Sequence, residues 1–302
     1  MTHVLLATEA GLLRLDASGS TVDVDFEGIE VVSVAALGDE VAAAVSGGGV
    51  WLRTGGSWRE LGLRGATVWT VALAGADEVY AGVEPAALWR LGGRGPEELS
   101  GLAAVAGHDD WHSPWGPADL STIVVDGDRL LVGVELGGVA VSHDRGATWE
   151  ARNGGLFDDV HVVLADGPLL YATTGMGCFV SLDEGWRWSW ASDGIDRGYT
   201  LGLAWTDDAA VVSAASGPPP LWEAGGPEAA IYRSSSRGRE PRWERVFDAF
   251  GGAVERNCLQ ARDALVVAGT TDGELLISRD AGRTFSVGRS DLPAVNAVAL
   301  AG

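Results

Sequence analysis

A short polar motif with the pattern S-x-D-x-G occurs three times in this chain of 302 residues. The copies begin at Ser142, Ser181 and Ser278, and each follows an apolar run and precedes an aromatic residue. An Asp carboxylate can accept backbone N–H groups inside a tight turn, and Gly allows the positive φ that such a turn needs. Each copy therefore predicts a hairpin turn whose following aromatic residue is anchored beneath a β-sheet.

Between these turns, the chain alternates short apolar runs with Gly-, Asp- and Pro-containing turns, and helical periodicity is almost absent. One type of run recurs along the chain, and most copies are followed by a second, a third and a fourth run. The first-type runs lie at 31–37, 68–74, 120–126, 160–166, 200–206, 257–263 and 295–301. Four strands per repeated unit predict the blades of a β-propeller.

The two ends of the chain predict how the ring closes. The last run, 295–300, is a first-type strand with no second strand after it, whereas the chain begins with a second-type strand at 4–8. Together with the runs at 11–15 and 21–26 they complete one blade, which satisfies otherwise open sheet edges. We therefore predict an all-β, seven-bladed propeller of four-stranded blades. Its first blade joins the N- and C-terminal strands, and residues 1–302 form a single domain.

The repeated turn resembles the Asp box of the BNR-repeat β-propellers, a group that includes sialidases and related glycoside hydrolases. The resemblance implies that these turns are structural and lie on the face away from the ligand. It also implies that ligands bind on the opposite face, formed by loops leading into the inner strands and by turns between second and third strands. The Phe/Tyr-Arg-Ile-Pro motif of sialidases does not occur in the sequence, so sialidase activity itself is not expected.

The charge balance excludes some partners. The chain has 42 Asp and Glu against 21 basic residues, all of them Arg, and its net charge is −21. Such a chain is not expected to bind nucleic acid or anionic membranes. Its two cysteines suggest no disulfide framework. The chain begins without a basic, then apolar, leader, and it carries no phosphate- or dinucleotide-binding motif, so we expect a cytoplasmic protein without a cofactor.

Glutamates recur at one position of the repeat, the turn between second and third strands. Glu9, Glu84 and Glu135 occupy this turn in three blades. One interpretation is a set of solvated turn residues. The other is a ring of carboxylates around the channel mouth, where facing carboxylates raise each other's pKa and can act as general acid and base.

Further candidates lie where the inner strands begin. Asp159, Tyr199 and Arg256 immediately precede or begin such strands, and Trp69 and His161 take the second position of theirs. Polar side chains at these positions are typical of a ligand site, although they are also common around channel waters.

The segment 107–117, which joins the third and fourth blades, is unusually rich in His, Trp and Pro. We expect Trp111 and Trp115 to form an apolar wall on which sugars or aromatic rings stack. His112 is a candidate acid, base or hydrogen-bond donor. A weaker alternative is a metal site formed by His108, His112 and His161, but the prolines give no common helical face, and no metal is predicted.

These observations favour a small-molecule site, of which a glycan is one form, at the channel mouth, in a glycoside-hydrolase-like or lyase-like enzyme. The alternative is a non-catalytic platform for a protein partner, as in the photosystem assembly factors, which have a similar propeller. The predicted catalytic residues are Glu84, Glu135, His112, His161 and Asp159. The predicted ligand-binding residues are Trp69, Trp111, Trp115, His108, Tyr199 and Arg256.

Overall fold

The structure is a computed structural model that describes residues 2–16, 19–113 and 116–302. It confirms an all-β propeller of seven four-stranded sheets. The inner strands, which line a central channel, are Val295–Ala301, Val31–Leu37, Thr67–Gly75, Leu120–Asp126, Val160–Asp166, Tyr199–Trp205 and Leu259–Arg262. The second strands are His3–Thr8, Glu40–Val45, Glu78–Glu84, Arg129–Val134, Leu169–Thr174, Ala210–Ala215 and Leu265–Gly269.

The outer half of each blade is formed by two further strands. The third strands are Gly11–Leu15, Gly49–Thr54, Ala87–Gly92, Gly138–Ser142, Gly177–Ser181, Ala230–Ser234 and Leu275–Ser278. The outermost strands are Thr21–Asp25, Ser57–Gly62, Glu97–Glu98, Glu150–Ala151, Trp188–Trp190, Glu244–Phe247 and Ser286–Arg289.

Other elements lie only in connections between strands. The connection between the third and fourth blades holds 3-10 turns at Ser100–Ala104 and His108–Asp110 and a small hairpin of His112–Ser113 with Gly116–Pro117. The sixth blade carries a 3-10 turn at Pro219–Leu221 and one α-helical turn at Trp222–Gly225. None of the described helices has the length and apolar character that a membrane crossing requires.

The predicted closure of the ring is confirmed. Val295–Ala301 pairs antiparallel with His3–Thr8, so the two ends of the chain share the first blade. The second strand of this blade is buried on both faces. Leu6 faces the core shared with the sixth and seventh blades, whereas its neighbour Leu5 faces the core shared with the second blade. The hydrophobic core is therefore distributed between neighbouring blades, and every blade depends on the next one for burial.

The three S-x-D-x-G turns connect third and fourth strands, and in each the Asp carboxylate accepts bonds from the Ser hydroxyl and from the backbone N–H four residues later. In the fourth blade, Asp144 accepts bonds from the backbone N–H of Thr148 at 2.8 Å and from the hydroxyls of Thr148 and Ser142. These bonds, led by the Thr148 hydroxyl, lower the pKa of Asp144 to about 2. Asp280 makes the same bonds with Ser278 and Thr284, so the repeated residues repeat their local geometry.

The lowered pKa of Asp144 predicts how its contribution to stability depends on pH. Because the folded-state pKa is about 2 and an unfolded Asp titrates near about 3.9, this contribution is present above about pH 4 and is lost as the pH falls toward 2. Asp144→Asn should therefore lower the urea midpoint near pH 7, and the difference from wild type should shrink in acid. The matched control is Asp39→Asn, at an exposed turn of the second blade. A difference that stays constant across this pH range would contradict the explanation.

Candidate functional site

A recurring β-bulge near the start of the inner strands aims side chains at one end of the channel. In six blades the inner strand has one more residue there than its partner strand. The extra residues are Val32, Trp69, Ser121, His161, Asn296 and, in the sixth blade, one of Leu201 and Gly202. A bulge breaks the in-out alternation of a strand and redirects one side chain. The bulge therefore explains why the side chain at the second position of an inner strand is directed at this end of the channel.

Three of the bulge residues also join neighbouring blades. Each contacts a backbone carbonyl near the start of the next inner strand: Ser121 Oγ donates to Val160 at 2.7 Å, and Asn296 Nδ2 donates to Val31 at 3.0 Å. His161 Nδ1 makes the equivalent contact with the carbonyl of Thr200 at 2.6 Å. A carbonyl can only accept, so Nδ1 carries a proton. His161 therefore has a structural role that also fixes the orientation of its ring.

A concave cavity of about 380 Å³ lies at this end of the channel. Six of the predicted site residues line it: Trp69, Glu84, Glu135, His161, Tyr199 and Arg256. They come from four different blades and from the loop before the seventh inner strand, which meet around the end of the channel. We call this space the mouth cavity.

An ion cluster around Arg256 forms the floor of the mouth cavity. Its two terminal nitrogens bind both oxygens of Asp119 at 2.9 Å, and Nη1 also binds Glu135 Oε2 at 2.9 Å. Because one nitrogen contacts both carboxylates, those two acidic groups lie within about 6 Å of each other. Arg256 also lines a second cavity of about 530 Å³, which is the channel itself, so its side chain separates the two spaces.

The cluster shifts the pKa of its members in a consistent way. Burial raises the pKa of Glu135; the positive charge of Arg256 opposes this effect, and the negative charge of Asp119 adds to it. Burial alone would lower the pKa of Arg256, but Asp119 and Glu135 raise it above its ordinary value. Arg256 therefore stays charged, and Glu135 is the carboxyl group of this cluster that holds a proton more readily than usual.

Aromatic side chains form two walls of the mouth cavity. Trp69 Nε1 donates to Glu84 Oε2 at 2.9 Å, and the Arg256 guanidinium lies 5.1 Å from the centre of the Trp69 ring. Tyr199 lies on the other side, with its ring 4.8 Å from that of His161. Burial, with the charges of Asp159 and Glu135, raises the pKa of Tyr199, so its hydroxyl stays neutral and can donate a hydrogen bond.

Asp159 lies behind His161 rather than among the residues that line the mouth cavity. Its Oδ1 is 3.5 Å from His161 Nε2, and both atoms are buried without a hydrogen-bond partner among the described residues. The backbone of Gly175 leaves the space for this carboxylate, since a Cβ at position 175 would lie 2.1 Å from Asp159 Oδ2. Asp159 is thus a neighbour of His161 and not a lining residue of the mouth cavity.

The segment 107–117 contributes less to the cavity than its composition suggests. Only Gly116 and Pro117 line the mouth cavity among its described residues. Trp111 instead packs into the apolar cluster between the third and fourth blades, and His108 lies against it with ring centres 4.8 Å apart. His112 is exposed and pairs with Pro117 in the small hairpin. Trp115 lies outside the described residues.

His108, Trp111 and His112 therefore do not line the mouth cavity, and Trp111 packs between blades instead. Their role as ligand contacts stays a prediction. The described residues also contain no group of three or more His, Cys, Asp and Glu side chains arranged to hold a metal ion.

Sequence reasoning missed several residues that line the mouth cavity. Asp119 and Glu255 belong to loops that lead into inner strands, and Pro218, Pro219 and Pro220 belong to the long turn between the second and third strands of the sixth blade. The rule that selected Glu84 and Glu135 also applies to that turn. The inserted residues in the turn of the sixth blade were the feature of the sequence that could have identified these prolines.

The mouth cavity offers carboxylate acceptors, one phenol donor and two aromatic faces. Such a set binds hydroxyl or ammonium groups and stacks on sugar rings. Glu135 has the raised pKa of a general acid, and Asp119 is the nearby carboxylate. Both side chains are held by Arg256, so any proton transfer by Glu135 takes place beside a fixed positive charge.

No protein-family model and no curated protein matches this sequence. Solved structures do match in shape. A GH74 xyloglucanase from Xanthomonas campestris superposes with a TM-score of 0.63 at 17% identity, over 95% of this chain and 46% of the enzyme. A YCF48 protein bound to a D1 peptide gives 0.64 at 16% identity, over 91% of this chain and 89% of that protein. The computationally designed protein Ika8 gives 0.61 at 14% identity, over 91% and 79%.

The chain spans about half the length of the Xanthomonas enzyme. At these levels of identity the likeness concerns the fold alone, and the three proteins differ in what they do or were made for. The comparisons therefore establish that this chain shares the β-propeller fold of the GH74 xyloglucanase, the YCF48 protein and the designed protein Ika8.

Proposed function

We propose that the mouth cavity binds a small polyhydroxylated ligand, of the size of one or two sugar rings. The observation that carries this proposal is a concave space of about 380 Å³ in which acidic and aromatic side chains from several blades meet. Ligand cavities in proteins start at about 300 Å³ and combine apolar walls with a few fixed polar groups. Trp69 and Tyr199 supply the walls, and Glu84 and Glu135 supply hydrogen-bond acceptors for hydroxyl groups.

Likeness to glycan-cleaving propellers supports the proposal at the level of the fold. The GH74 neighbour is described as a xyloglucanase, so a propeller of this shape can serve glycan chemistry. That enzyme is about twice as long as the part matched here. Sugar binding by this chain therefore rests on its own cavity and not on the neighbour.

A second candidate, a platform for a protein partner, has one specific observation in its favour. Met176 and Trp190 are 54% and 59% exposed, and they lie together at the edge of the fifth blade, where the Trp190 ring is next to Gly177. The YCF48 neighbour binds a peptide. A peptide could bind along this apolar edge of the fifth blade, whereas a small ligand in the mouth cavity would not reach it.

Substitution of Trp69 distinguishes the two candidates. Titration calorimetry with glucose, xylose, cellobiose and glucosamine should detect binding of at least one sugar to the wild-type protein. Trp69→Ala should weaken that binding at least about tenfold, because it removes both the stacking face and the N–H that orients Glu84. Trp69→Phe, which keeps a ring, should lose less.

The matched control is Trp190→Ala, a tryptophan at the outer edge of the fifth blade, which should leave sugar binding unchanged. Circular dichroism of each variant checks that the propeller is folded. Absence of binding by all four sugars, or loss of binding in Trp190→Ala rather than in Trp69→Ala, would reject the proposed function.

A further inference from the structure

The mouth cavity is strongly acidic for its size. Four carboxylate side chains line it, those of Glu84, Asp119, Glu135 and Glu255, and Arg256 is the one Arg or Lys among the described lining residues. Even with Glu135 protonated, the formal charges on these walls favour a cation over an anion. At the short distances inside such a space the preference is larger than at an open surface, because water screens the charges less.

Arg256 is not available to bind an anionic ligand. Its Nη1 and Nη2 groups already donate to Asp119 and Glu135, and its flat face lies over Trp69. Its side chain is 14% exposed. A ligand carboxylate would have to displace one of the protein's own carboxylates and leave it buried without a counter-charge, which is costly.

The acceptors that remain favour a ligand with charged N–H groups. Trp69 occupies only one oxygen of Glu84, and Glu255 lines the same cavity. His161 lines it too and is 3% exposed, and its Nε2 has no hydrogen-bond partner among the described residues. Its Nδ1 is engaged by the carbonyl of Thr200, and its Nε2 lies 3.5 Å from Asp159 Oδ1. Glu84 and Glu255 therefore supply the acceptors for such a ligand.

The aromatic walls match the same chemistry. A cation near the face of a Trp or Tyr ring is attracted by the ring electrons, and the attraction grows when the cation is removed from water. Arg256 already uses one face of Trp69 in this way. Tyr199 lies among Asp159, Glu135 and Glu255, whose charges all act on its hydroxyl group.

We propose that the ligand of the mouth cavity carries an ammonium group, held by the carboxylates of Glu84 and Glu255 against the rings of Trp69 and Tyr199. This inference deepens the proposed function and rests on it. It specifies amino sugars, or other polyhydroxylated amines, over neutral and acidic sugars.

Four probes of nearly equal shape test it: glucose, glucosamine, N-acetylglucosamine and glucuronate. Titration calorimetry of the full chain at mildly acidic pH, where the amine is charged, should give an affinity for glucosamine at least about tenfold higher than for glucose. N-acetylglucosamine has no charge and should bind no more tightly than glucose. Glucuronate should bind more weakly than any other probe.

Two variants locate the preference. Glu84→Gln and Glu255→Gln should each weaken the binding of glucosamine more than the binding of glucose, so that the ratio between the two affinities falls to less than about threefold. Glu244→Gln, an exposed glutamate on the outermost strand of the sixth blade, is the control and should keep the full ratio. If a variant does not fold, the affinities of the wild-type protein for the four probes still test the proposal.

Equal affinities for glucosamine and glucose, or tighter binding of glucuronate, would overturn the ammonium proposal and leave the sugar site intact. Failure of these four probes to bind, together with xylose and cellobiose, would instead reject the proposed function itself. The two failures are therefore distinguishable.

Discussion

A chain without residues 295–302 should fail to form a stable propeller, because these residues supply the innermost strand of the first blade. Val295–Ala301 pairs with His3–Thr8, and Val295, Ala297 and Val298 are at most 2% exposed. Its removal would leave the His3–Thr8 edge unpaired and expose apolar surface toward the neighbouring blades. We expect loss of a cooperative thermal transition by circular dichroism and aggregation in size-exclusion chromatography.

Two substitutions separate ring closure from a general effect of damage to the first blade. Val298→Asp places a charge in the inner strand at a residue that is 1% exposed. It should reproduce much of the loss of stability that the truncation causes. Val24→Asp changes the outermost strand of the same sheet at a residue that is 39% exposed, and it should have little effect. A truncated chain that melts within a few degrees of the full chain would show that the ring does not depend on this strand.

Loss of Arg256 should be the most damaging single change at the mouth cavity. Arg256→Leu would leave Asp119 and Glu135 facing each other in a largely buried position without their cation. Breaking a buried ion pair by removal of one partner costs about 3 kcal/mol or more near neutral pH. The urea unfolding midpoint and its slope measure this loss.

The pH dependence of Arg256→Leu gives a second readout. Without the cation, the folded-state pKa of the two carboxyl groups rises above the unfolded values. Their protonated forms then stabilise the fold below the unfolded pKa of about 4, and this stability is lost as the pH rises through the folded pKa. The variant should therefore recover toward wild type in mild acid.

Arg64→Leu is the control, since Arg64 is 64% exposed and pairs with Glu60 on the surface. It should leave the urea unfolding midpoint nearly unchanged, because an exposed ion pair contributes little to stability. A variant lacking Arg256 that is as stable as wild type near pH 7 would mean that the ion cluster does not hold the two carboxylates in their charged forms.

The sequence was sufficient to predict the fold because each blade repeats its own local signals. The serine–aspartate turns, the four-run spacing and the first-type strand at 295–300 each point to one architecture. The repeat also placed Glu84 and Glu135 on one face, and it singled out the position of Trp69 and His161, which the structure shows to be a recurring bulge.

The ion cluster depends on contacts that no spacing reveals. Arg256 lies 137 positions after Asp119 in the sequence, and the two meet only because the ring brings different blades around one channel. The position of the segment 107–117 was not evident from the sequence for a different reason. Its aromatic composition is compatible with a ligand wall and with a packed core, and burial of Trp111 between blades favoured the core.

The most direct test of the central claim, that the mouth cavity is the ligand site, is a crystal structure of the full chain soaked in glucosamine, with a glucose soak beside it. We expect difference density between the Trp69 and Tyr199 rings, with the amine directed at Glu84 and Glu255. Density confined to the central channel or to the Met176 and Trp190 edge, at a concentration that saturates binding in solution, would contradict it.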